Sequence, residues 1–161
     1  MTESSSSSTP PGASADGVVD EALGVFARDV LELSDGTMLD SDFHSLTLPL
    51  DGQSVDLLLQ TQDPTEARSL LPRLRRAVEH RTELRRRAVE AVVTTFSTEP
   101  PTAEDLAEAA ADLLTQAIVV DGTGEVILHF TDSCGRHLLD GYWPAVRFDE
   151  ADAVIDVTVE S

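Results

Sequence analysis

The chain has 161 residues, 30 of them acidic and 11 basic, for a formal net charge of −19. Charge of that sign and size argues against nucleic-acid and anionic-membrane partners, because both would repel it. A single cysteine rules out an internal disulfide. No apolar run approaches the ~20 residues of a membrane-spanning helix, and the N-terminus lacks a basic-then-apolar signal pattern, so a cytoplasmic bacterial protein is expected.

Residues 1–17 hold the serine run Ser4 to Ser8, then Thr9-Pro10-Pro11-Gly12. They have nothing to bury and are expected to form a disordered tail, leaving 18–161 as a single α+β domain. Val25-Phe26-Ala27 and Val30-Leu31-Glu32-Leu33 read as a strand with a break, ended by Ser34-Asp35-Gly36. Phe43 to Leu48 alternates with period two. Asp51-Gly52 is a hairpin signal, and Val55 to Leu59 returns as the partner strand. Pro49 sets the first of these strands at its end or at an edge.

Asp63 to Phe96 is the longest helical pattern. Asp63 suits the N-cap and Pro64 the first helical position, with Glu66 near the positive end of the dipole. Apolar residues recur in steps of three and four from Ala67 to Val78, and again from Leu84 to Phe96. Pro72 is expected to kink the helix near Arg68, and Glu79 to Glu83 interrupts the stripe. The spacing predicts either one long kinked helix or two helices joined near His80. Glu99-Pro100-Pro101 stops it. Thr102 with Asp105 reads as a capping box, opening a short helix with Ala103, Leu106, Ala110, Leu113 and Leu114 on one face. The period then returns to two. Ala117 to Val120 and Val126 to Phe130 flank a turn at Asp121-Gly122-Thr123-Gly124. Asp132 to Gly135 forms a second turn, His137 to Phe148 a bent strand, and Val154 to Val159 a last strand. The expected architecture is an antiparallel sheet of about six strands with the helices packed on one face.

Between Arg68 and Arg87 stand eight arginines and two acids. This basic segment is either a solvated face with i,i+4 pairs or a surface that docks on acidic groups of the same chain or of a second copy.

Several stretches are similar to a bacterial family of uncharacterised domains, domain of unknown function 2262. They are Phe26-Ala27-Arg28-Asp29, the hairpin from Phe43-His44-Ser45 to Leu50-Asp51-Gly52-Gln53-Ser54-Val55, the long Leu/Ala helix, and DGTGEVILHFTDSCGRHLLDGYWPAVRF. That family carries a strand of the form Gly-His-x-Ile-x-Val. Here Gly141-Tyr142-Trp143-Pro144-Ala145-Val146 matches it, with Tyr142 in place of the histidine. The resemblance spans roughly Leu23 to Val159. It implies a fold and a bacterial origin but no reaction, and some relatives resemble immunity or accessory proteins encoded beside toxins.

His129, Asp132, Cys134 and His137 are zinc-ligand types close together around one turn, although their spacing matches no established zinc pattern. Ser133 and Cys134 lack a nucleophile elbow. His44 and His80 read as surface residues, and Asp149-Glu150-Ala151-Asp152 as a solvated acidic turn without calcium-loop spacing. Tyr142 and Trp143 are neighbours on one strand, so one is expected in the core and the other more exposed, a candidate protein-binding patch. No catalytic residue and no cofactor is assigned. The leading expectation is a non-enzymatic acidic module that binds a basic protein. The alternatives are a metal-dependent hydrolase built on the His129–Cys134–His137 turn, and a scaffold that forms homodimers through the long helix.

Overall fold

A computed structural model describes residues 17–133 and 141–160. The tail up to residue 16, and with it Cys134 and His137, lies outside the described residues.

Among the described residues, eight strands and three helices make an α+β fold around one sheet. Four strands come first: β1 (Val18–Asp20), β2 (Gly24–Glu32), β3 (Met38–Leu50) and β4 (Gln53–Leu59). Three helices follow: α1 (Pro64–Glu79), α2 (Arg81–Phe96) and α3 (Ala103–Asp112). Four more strands complete the chain: β5 (Leu113–Val120), β6 (Val126–Asp132), β7 (Trp143–Phe148) and β8 (Val154–Glu160). Spatial order equals chain order, from β1 to β8. Every neighbouring pair is antiparallel except β4 and β5, which run parallel from Asp56↔Ala117 to Leu59↔Val120. That one parallel pair requires a crossover, and the three helices supply it.

The expected count of about six strands is too low. Val18–Asp20 forms a strand of only three residues, too short to show a period. The break expected in β2 is a register shift between Arg28 and Val30, a bulge within one strand rather than a gap. Leu113 and Leu114, given to the third helix by their spacing, open β5 instead. Asp51 and Gly52 close the β3–β4 hairpin with φ of 53° and 81°, the paired positive φ of a two-residue turn.

The helical stretch is two helices. Asp63 caps α1, accepting from the Thr65 N–H at 2.9 Å. Pro72 lies inside α1 without ending it; the break comes at His80, with φ −98° and ψ 15°. The Thr102–Asp105 capping box of α3 has both its bonds. One core joins the helices to alternate strand residues: Leu71, Leu74, Leu84 and Val89 meet Leu57, Ile118, Leu128 and Phe148. Each fully buried side chain of this kind contributes about 1.5–3 kcal/mol. Ala117, Val119 and Ala145 are also buried but stand outside that core, because they alternate onto the opposite face. No described helix is long and apolar enough to cross a membrane.

A candidate protein-binding face

Strand alternation builds this site. His129 stands opposite Ala145, and Ile127 opposite Arg147. Ala145 in turn faces Thr158, Arg147 faces Asp156, and Trp143 faces Glu160. Directly opposed residues share a face, while Val146 and Phe148, between them in sequence, belong to the core. Trp143, His129, Arg147, Asp156, Thr158 and Glu160 therefore sit together on the side away from the helices. His129, Arg147, Asp156, Thr158 and Glu160 line a recess of about 110 Å³ there.

The centre of the site is a hydrogen bond. The indole Nε1–H of Trp143 donates to Nδ1 of His129 at 2.9 Å, with the ring centroids 6.5 Å apart and the planes tilted by 53°. An indole can only donate, so Nδ1 must be unprotonated and the imidazole proton of the neutral ring sits on Nε2. Burial pushes the His129 pKa below its ordinary value, opposed by the Glu160 carboxylate. Arg147 is held by Asp121 and by Glu125, the latter at 3.0 Å. Burial would raise the Asp121 pKa, but bonds from Thr123, Arg147 and Glu125 outweigh it and hold the carboxyl below its usual value. Arg147 thus enters the face already neutralised, whereas Asp156 and Glu160 are exposed.

Of the two aromatics, Tyr142 is the exposed one, at 47 %, and Trp143 is half-buried. Neither is a core residue: Trp143 is on the face away from the helices, covered on one side by His129. The zinc-type residues are dispersed where they are described. His129 commits Nδ1 to Trp143, and Asp132, three positions along β6, alternates to the other side of the strand. No group of three metal-ligating residues occurs among the described residues. Ser133 bonds through both N–H and Oγ to the Asp112 carbonyl, a structural role at the start of the turn. His44 is not a surface residue: it is fully buried, with Nδ1 2.8 Å from the Thr61 carbonyl oxygen. His80 is exposed at the helix joint.

The basic helices dock on the chain's own acidic turns. Arg73 binds the Gly124 and Asp149 carbonyls and the Asp152 carboxylate at 2.7 Å. Arg76 reaches Glu150, and Arg87 the Asp152 carbonyl. Arg75 pairs with buried Asp20 at 3.0 Å, and Arg81 with Asp51 at 2.9 Å. Among the described residues, the i,i+3 and i,i+4 pairs expected of a solvated face join Arg86 to Glu83 and Glu90, and Arg87 to Glu83. The Asp149–Asp152 turn is therefore an arginine-locked corner, with Asp149 Oδ1 accepting from the Ala151 and Ala153 N–H groups.

The sequence reading missed the Trp143–His129 bond and the Arg147 clamp, because each depends on β6–β7 register. The sequence signal available was two aromatic rings on strands joined by one turn. Comparison with protein-family models, curated proteins and solved structures finds no match to this chain.

Proposed function

We propose that this protein is a non-enzymatic binding module whose β6–β8 face receives a basic partner protein, a toxin or effector being the class of partner it suits. One observation carries the reading: half-buried Trp143, next in the chain to exposed Tyr142, stands opposite exposed Glu160 on a face that also carries exposed Asp156, and Arg147 of that face is taken up by Asp121 and Glu125. Aromatic anchors with an acidic rim are what a basic partner requires. The net charge of −19 speeds encounter with such a partner by electrostatic steering.

The test is capture from the protein's own cell by immobilised wild type, Tyr142→Ala and Glu160→Arg. A basic protein retained at low salt, released at high salt and lost with both variants is expected. Retention of every captured protein by both variants would remove this face from consideration.

A further inference from the structure

A second recess lies on the helix side of the sheet. It is a cleft of about 290 Å³ between the first turn of α2, the tip of the β3–β4 hairpin, and β5 and β6. Its apolar surface comes from half-buried Leu50 and Leu114, which lie over Val55, Ile118 and Leu128, core residues of three adjacent strands. Exposed Asp51 and Thr82 stand at the mouth beside Arg81 and Arg85. The cleft lies at the joint where α1 gives way to α2 at His80.

The charge at the mouth is unusual for this chain. Two guanidiniums share one carboxylate: Arg81 grips Asp51 through Nε and Nη2, and Arg85 acts on the same carboxylate through space. Arg85 spends its Nη2 on the Ala110 and Leu113 carbonyls, and those neutral groups leave its charge in place. The mouth therefore carries one net positive charge in a protein of net charge −19.

We propose that this cleft binds a small monocarboxylate with an apolar body. The aliphatic lining takes the body by removing it from water, and the Arg81–Arg85 mouth takes the carboxylate by charge-assisted hydrogen bonding. The cleft volume lies at the small end of ligand pockets, roughly 300–1,000 Å³, so the ligand is a medium-chain or single-ring acid rather than a long-chain lipid.

The experiment uses the full chain with octanoate as probe, followed by titration calorimetry and by amide NMR shifts. Octanol tests the head, acetate the body. Saturable octanoate binding that moves the Gln53, Thr82 and Thr115 amides is expected, with octanol and acetate each at least tenfold weaker. Thr82→Glu places a carboxylate at the exposed mouth without touching the core. It should weaken octanoate at least tenfold while leaving the melting temperature unchanged. Arg85→Gln should weaken it too, but it also removes bonds to the end of α3, so the Thr82 variant decides. Absence of octanoate binding, equal binding of octanol, or full binding by Thr82→Glu would overturn the assignment.

Discussion

At the scale of single residues, the Trp143–His129 bond gives the candidate face a titratable optical signal. The chain has one tryptophan, so its fluorescence reports on the surroundings of this bond. Protonating Nδ1 removes the acceptor that the indole N–H needs and places a cation against the ring. Emission should therefore fall on acidification, with a midpoint below the ordinary histidine value of ~6.5, and the change should vanish in His129→Gln. A midpoint at or above 6.5, or an identical titration in the variant, would contradict the geometry. The stability consequence has a definite sign. The folded-state pKa lies below the unfolded one, so between the two values the unfolded chain holds more protons. The neutral ring's contribution is complete above ~6.5 and is lost as pH falls through the folded value. Asp20 offers a second test. Its buried carboxylate accepts from the Ala22 and Leu23 N–H groups at 2.9 Å each and from Arg75. Asp20→Ala strands two backbone donors and should cost about 2–3 kcal/mol in urea unfolding. Arg75 is half-exposed, so Arg75→Ala should cost under about 1 kcal/mol. Equal losses would mean that the ion pair, not the turn, is what matters.

At the scale of elements, local chemistry was legible wherever it is contained within a few residues. The Asp63 cap, the Asp51-Gly52 turn and the Thr102–Asp105 box are all present as read. Thr102→Ala should therefore lower stability by about 1 kcal/mol, measurable by thermal unfolding, and no loss would mean that α3 is held by its packing alone. Elements that depend on partners were not legible. Leu113 and Leu114 continue the helical spacing, but pairing with Asp132 and Thr131 draws them into β5; tertiary pairing overrides local propensity there. His44 looks polar and solvated in sequence, yet its position opposite Leu59 places it on the helix side, where the Thr61 carbonyl satisfies it. The division of the helical stretch was legible as one of two outcomes: Pro72 stays inside α1, and the chain parts into two helices at His80, within the polar run from Glu79 to Glu83. Both halves can then press an apolar face on the sheet, α1 near β1, β4 and β5, and α2 near β7 and β8. The candidate face needed more than any one strand could show: its residues alternate on three strands, and only register brings them together.

At the scale of the whole molecule, the arginines of α1 and α2 act as internal clamps across a strongly acidic chain, and this sets how stability responds to acid. Two effects compete as pH falls. Global repulsion among the acids weakens toward the isoelectric point near 4.2, which favours the compact state. The ion-paired carboxylates, within α2 and on the sheet as well as in the clamps, are meanwhile neutralised. Bonds from Arg86 and Arg87 lower Glu83 to about 2, and a bond from Arg81 holds Asp51 below its usual value. Asp121 is likewise lowered, burial notwithstanding. Each folded-state pKa lies below the unfolded one, so these contributions are complete above the ordinary carboxylate range, about 4–4.5, and are lost as pH drops through the folded values. Long-range repulsion is screened beyond about 8 Å at physiological salt, while contacts near 3 Å are screened less. The local loss should therefore win at moderate salt. Urea midpoints followed by circular dichroism should hold steady above pH 5 and fall between about pH 4 and 2, more steeply in 0.5 M salt than in 10 mM. Arg147→Gln removes one ligand of Asp121 and should make that decline shallower. A chain that grows more stable from pH 5 to 3 at high salt would show that repulsion, not clamping, governs it.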